Sequence, residues 1–268
     1  MDEIQRLLAI PQLKGAAQLG SLLFVRLMPI VAFTPIFGGQ LVPRRLRVGL
    51  TVLLTVALLP SLYASFDRVV PPVQYMVLIA KEAVIGMTIA FFLVVLFEAI
   101  AAVGALVDLS RGATLANVLD PLTQNQQSIL AVFLTQLGVV LFLSIGGLQI
   151  LVRALGESFV LLHPHQLLPA ELLGPAGASQ AVGLVADLFV LAFRLAAPTV
   201  VVLFLLDFGL GVINRVAPQI QVYFLGLTVK GVVGLLIVLL GFALLMDLIV
   251  EYFGMMLQAL RDWMTLAG

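Results

Sequence analysis

Residues 73–109 read VQYMVLIAKEAVIGMTIAFFLVVLFEAIAAVGALVDL. Only Lys81, Glu82, Glu98 and Asp108 interrupt the apolar run with charge. About 20 helical residues cross the hydrocarbon core of a bilayer. At ~1.5 Å per residue this stretch would reach more than ~50 Å as a helix. It shows no alternation of period two, which a membrane β-barrel would require. A helix is then the one remaining way to satisfy its backbone in lipid.

The rest of the chain repeats the pattern. Further apolar stretches run over 15–37, 46–66, 127–162, 181–214 and 220–256. Turn-forming residues separate them: Gly38-Gly39, Pro43, Pro71-Pro72, Asp120-Pro121, Pro164, Pro169, Gly174-Pro175 and Pro218. The last four stretches in chain order, 73–109, 127–162, 181–214 and 220–256, exceed what a bilayer needs, so they project from it, bend or break. Gly146-Gly147, Pro198 and the group Gly226, Gly231 and Gly234 are the expected break points. The longest polar connector, 162–180, is short and rich in Pro, Gly and Ala. The expectation is one all-α integral-membrane domain over 1–268, of about six apolar segments with long, bent or broken helices in hairpins.

Composition agrees. Of 268 residues, 62% are hydrophobic and 10% charged, against about a quarter charged in a soluble domain. Net charge is zero, which argues against a nucleic-acid partner. The absence of cysteine excludes disulfides, thiol nucleophiles and thiolate metal sites. Met1 to Lys14 lacks the basic start and short apolar run of a cleavable leader, so the first apolar segment is expected to be retained. Basic residues are too scattered for the positive-inside rule to orient the chain.

Nothing in the sequence reads as enzyme chemistry. There is no glycine-rich phosphate loop and no Gly-x-Ser-x-Gly elbow. His163 and His165 flank Pro164, but no third ligand completes a metal site. The expectation is no enzyme, no cofactor and no metal. Charges inside the apolar stretches are the more informative feature: Arg26, Lys81, Glu82, Glu98, Asp187, Arg194, Asp207, Lys230, Asp247 and Glu251. Each would cost a few kcal/mol facing lipid at mid-bilayer. They are expected to line a polar path, to pair between subunits or to sit on projecting helix ends. Arg153 with Glu157 and Asp108 with Arg111 have the spacing of pairs on one helix face. Asp247 and Glu251 share a face with like charge. A stand-alone secondary solute transporter fits broken helices and buried charges. A weak internal echo points the same way: Asp108-Leu-Ser-Arg-Gly with Asn117 and Asp120-Pro121, beside Asp207-Phe-Gly-Leu-Gly with Asn214 and Ala217-Pro218.

Two blocks are more specific: GALVDLSRGATLANVLDP at 104–121, and APTVVVLFLLD at 197–207 continuing through GVINRVAPQ at 211–219 to YFLGLTVK at 223–230. With TPIFG at 34–38, VPRRLRVGL at 42–50 and LGESF at 155–159, they resemble, in order, the FliR/SctT family of type III export-gate proteins. Arg111-Gly-Ala-Thr and Ile213-Asn-Arg are closer to the injectisome branch than to the flagellar one. The resemblance implies a subunit of a bacterial inner-membrane gate within the secretion-system basal body, multi-pass and built with SctR/FliP- and SctS/FliQ-type proteins. An SctU/FlhB-type protein joins it, and unfolded secreted substrates pass through. It further implies that the segment from Asp108 to about Gln124 projects into the closed channel as a plug, making Asp108, Ser110, Arg111, Gly112, Thr114, Asn117, Asp120 and Pro121 the gating candidates. Arg26, Glu98, Asp207, Asn214, Arg215, Pro218 and Lys230 are the candidates for subunit contact. An ordinary connector between helices is the competing reading of the 108–124 segment.

Overall fold

Backbone amides in hydrocarbon have no water to bond. The chain meets that demand with helices: among the described residues there is no strand. The computed structural model describes residues 11–37, 42–63, 69–113, 128–167, 174–219 and 221–265. The elements are α1 (Pro11–Phe33), a 3-10 turn (Pro35–Phe37), α2 (Arg44–Tyr63), α3 (Pro72–Arg111), α4 (Ile129–Ser144), α5 (Gly147–Leu161), α6 (Pro175–Val216), α7 (Val222–Leu240) and α8 (Phe242–Thr265). Proline opens α1, α3 and α6, where its missing N–H has no intrahelical partner to lose. Five helices are long and apolar enough to cross a membrane, or six if the bent pair α4–α5 forms one span. This is an all-α membrane protein.

Over-long helices are present as expected. α3 has 40 residues and α6 has 42, so each extends ~60 Å. The expected break points divide. The chain does break at Ile145–Gly146, where Gly146 adopts φ 78°, a left-handed geometry that suits a residue without Cβ. Pro198 does not break α6, which runs through it unbroken. Membrane helices tolerate proline because neighbours re-satisfy the freed carbonyl. Nor do Gly226, Gly231 and Gly234 interrupt α7. Two of them serve packing: a Cβ on Gly226 would meet Leu210, and one on Gly234 would meet the Arg111 side chain and Leu203. The interruption falls at Gly241, so the last apolar stretch is two helices.

The chain forms two compact units: one of residues 1–94, 146–184 and 256–268, the other of 95–145 and 185–255. The core of the first is built by Leu22, Leu23, Leu27 and Ile30 of α1, Ile85, Ile89 and Phe92 of α3, Leu151, Leu155 and Phe159 of α5, and Trp263 and Met264 of α8, all fully or almost fully buried. Gly86 makes the α1–α3 approach possible, since a Cβ there would collide with the Arg26 carbonyl. The core of the second holds an aromatic triad, Phe97, Phe142 and Phe253, with ring centroids 5.0–6.3 Å apart. Here Gly104 lets α3 lie against the first turn of α4, where a Cβ would strike the Ala131 backbone.

Candidate functional site

Three polar clusters stand out in this apolar frame. The first sits at the root of the expected plug. Asp108 ends the apolar face of α3 and is buried, 2% exposed. Its carboxylate accepts from Arg111 Nη2 at 2.7 Å, from Ser128 Oγ at 2.6 Å and from the Leu130 amide at 3.0 Å. Ser128 is the N-cap of α4 and its Oγ also accepts from the Ala131 amide at 3.0 Å. One carboxylate therefore fastens the end of α3 to the start of α4. Gly112 leaves the helix at φ 75°, while Ser110 bonds back to the Leu106 carbonyl. Asp108, Ser110, Arg111 and Gly112 thus belong to the anchored end of the segment. Thr114, Asn117, Asp120 and Pro121 lie outside the described residues.

The second cluster belongs to the other unit. Arg26 of α1 and Glu82 of α3 are both fully buried. Their side chains form a two-pronged pair, Nε to Oε2 and Nη2 to Oε1, the latter at 2.9 Å. Arg26 also donates to the Ser158 carbonyl at 2.8 Å and the Leu162 carbonyl at 2.7 Å, and lies 4.1 Å over the Phe159 ring. Lys81 Nζ lies 2.6 Å from Glu82 Oε1 and donates to the carbonyls of His163, Pro164 and Gln166. The end of a helix leaves carbonyls without intrahelical partners and carries partial negative charge. Two cations thus bind carbonyls at the end of α5 and in the turn that follows it, and one carboxylate balances part of their charge. Arg26, a candidate for subunit contact, is therefore occupied inside its own chain. His163 and His165 stack edge to face at 5.4 Å. Partial burial, then the His163 ring and Lys81, push the His165 imidazole below its usual range.

The third cluster is a cleft of about 500 Å³ between α6 and α7, lined among others by Asp207, Asn214, Gln221, Tyr223 and Lys230. Asp207 and Lys230 pair across it at 2.8 Å. The helices around it carry much uncovered apolar surface: Phe204, Phe208, Val216, Phe224 and Leu240 are each more than 60% exposed. Asn214, Arg215, Pro218 and Glu98 are exposed as well. Glu157 pairs at 3.6 Å with Arg261 of α8, not with the Arg153 its spacing suggests. Among the described residues no group of three metal-ligating side chains occurs.

A family model described as bacterial export proteins, family 1, matches residues 18–256, a span that contains all three clusters. The chain belongs to that family. FliR, the flagellar biosynthetic protein of Bacillus subtilis, is 26% identical over 92% of this chain and 95% of its own length. Yop proteins translocation protein T of Yersinia pestis is 31% identical over 82% and 84%. SpaR, the surface presentation of antigens protein of Salmonella typhimurium, is 31% identical over 87% and 85%. The FliR/SctT resemblance is thus established at family level, and the chain is a multi-pass membrane protein of the export-protein class.

Sequence reasoning placed Arg26, Lys81 and Glu82 among the costly charges but did not join them. Their carbonyl partners at 158–166 lie far along the chain and carry no side-chain signature. Ser128 was missed for a different reason. A serine ahead of an apolar run is a capping signal, but it lay inside the stretch begun at 127.

Proposed function

We propose that this protein is a subunit of a type III secretion export gate in the bacterial inner membrane. In this reading it assembles with SctR/FliP- and SctS/FliQ-type proteins, and with an SctU/FlhB-type protein, into the pore that passes unfolded secreted substrates. It performs no chemistry of its own. The family match over residues 18–256 carries the reading. The length of α6 supports it: at 42 residues it exceeds a bilayer, and only 33% of its apolar span is buried within the chain. Helices longer than a bilayer need protein around the part that lipid does not cover. Asp207, Asn214 and Arg215 of α6, Pro218 in the turn that follows and Lys230 of α7, with Glu98 on α3, are the contacts we assign to neighbouring subunits. We assign the injectisome branch on Arg111-Gly-Ala-Thr and Ile213-Asn-Arg; identities of 31% to Yop proteins translocation protein T and SpaR, 27% to SsaT and 26–28% to FliR proteins do not separate the branches.

The test is capture of the tagged protein in mild detergent from its own cells. The expected outcome is co-recovery of the other gate subunits, reduced by charge reversal of Asp207 and Arg215. Recovery as a lone monomer while those subunits are present would reject it. The plug assignment is tested by deleting residues 113–124, which spares Asp108, Arg111 and Ser128. An assembled mutant that leaks small solutes supports the plug, and one as tight as the parent removes it.

A further inference from the structure

α2 begins Arg44-Arg45-Leu46-Arg47, with no acidic residue in its first turn. Cations at a helix N-terminus oppose the macrodipole, so this arrangement does not serve the helix. Arg47 has an internal role: its Nη1 donates to the Ala32 carbonyl at 2.9 Å, capping the end of α1. Arg44 and Arg45 have none among the described residues. Both are exposed, and no ion pair or hydrogen bond joins their side chains to another described residue.

Their surroundings fix the kind of partner. α2 is long and apolar enough to cross a membrane, and only 11% of its apolar span is buried within the chain. Leu46, Leu53 and Val56 along it are each more than 60% exposed. α2 is 20 residues long, enough to cross a hydrocarbon core, so where it spans a bilayer its two leading guanidinium groups fall where hydrocarbon gives way to headgroups. Guanidinium presents a planar fork of donors that matches two phosphate oxygens. We propose that Arg44 and Arg45 bind the phosphate of an anionic phospholipid whose acyl chains lie along the exposed face of α2. This site is separate from the polar cleft assigned to subunit contact and does not depend on that assignment.

The experiment uses the full chain, purified in neutral detergent and held in nanodiscs of zwitterionic lipid with increasing phosphatidylglycerol. Retained phosphatidylglycerol is counted after extraction by native mass spectrometry. A basic residue near a membrane surface strengthens attachment to anionic lipid by about fivefold. The R44Q/R45Q protein is therefore expected to retain phosphatidylglycerol about 25-fold more weakly than the parent. R44K/R45K should recover part of the loss, because lysine keeps the charge without the fork. R153Q, an exposed arginine on α5, should change nothing. Equal retention by R44Q/R45Q and the parent overturns the site, as does an equal loss in R153Q. Displacement of the lipid by millimolar inorganic phosphate would identify a free-anion site and overturn the lipid assignment. Both arginines are exposed, so an unchanged circular dichroism spectrum is expected for every variant.

Discussion

Glu82→Gln isolates the value of one buried carboxylate. Glu82 lies between Arg26 and Lys81, whose side chains are 0% and 5% exposed. The amide keeps the shape and one acceptor but removes the negative charge, leaving two cations facing each other without it. Breaking a buried ion pair from one side costs ~3–5 kcal/mol. The lower end applies here. Arg26 keeps the carbonyls of Ser158 and Leu162, and Lys81 keeps those of His163, Pro164 and Gln166. A loss of ~3 kcal/mol is a sizeable share of a typical stability of ~5–15 kcal/mol. For a chain of this size it lowers the unfolding midpoint by about 6–12 °C. The assay is thermal unfolding in detergent followed by tryptophan fluorescence, for Trp263 packs against Phe92 in the same unit. Lys81→Met added to Glu82→Gln should restore part of the loss, since one unbalanced cation goes and the vacated carbonyls lie in a turn partly open to water. A Glu82→Gln midpoint within about 2 °C of the parent, less than the ~1 kcal/mol such a shift represents, would refute the claim that these three charges hold α1, α3 and the end of α5 together.

Three further outcomes are expected. Gly104→Val should lower stability by ~1–3 kcal/mol by forcing α3 off the Ala131 backbone; an unchanged urea midpoint would contradict the close approach. Ser128→Ala should lose ~1 kcal/mol as an N-cap, and Asp108→Ala more, because it also strips the Leu130 amide and Arg111 of their acceptor; equal losses from the two would show that the carboxylate is not the common anchor. His165 sits outside the spans with its imidazole pushed below the usual range. The fold therefore disfavours its protonation: its contribution is complete above pH ~6.5 and is lost as pH falls through the folded value. His165→Asn should flatten the acid side of the stability–pH curve, and an identical slope in the mutant would dismiss it.

The fold class was legible because the apolar runs are long and carry no alternation, so 73–109 could be little other than an over-long helix. The Gly146-Gly147 break was legible because paired glycines weaken a helix and the first can take a left-handed turn, as Gly146 does at φ 78°. Pro198 and the α7 glycines misled for one shared reason. Local breakers act only where tertiary structure lets them, and at Gly226 and Gly234 the missing Cβ makes room for Leu210 and for Arg111. Asp108 with Arg111 was readable as a pair three residues apart. Its bonds to Ser128 and Leu130 were not, because they join segments twenty or more residues apart. The Arg26 cluster lay further out of reach, as most of its acceptors are main-chain oxygens and every residue type has one.

The Arg26–Glu82–Lys81 cluster also bears on biogenesis. Helices emerge from the ribosome in order, and a charged side chain at the centre of a helix costs ~2.5–3.5 kcal/mol to insert through the translocon. Arg26 emerges long before Glu82, and both emerge before the 158–166 carbonyls exist to receive their share of the donors. α1 and α3 are thus poor candidates for release into lipid one at a time. They are better retained beside the insertion machinery, or under a membrane chaperone, until α5 is made. Partitioning of α1 and α3 is then a collective event, timed by the synthesis of the end of α5.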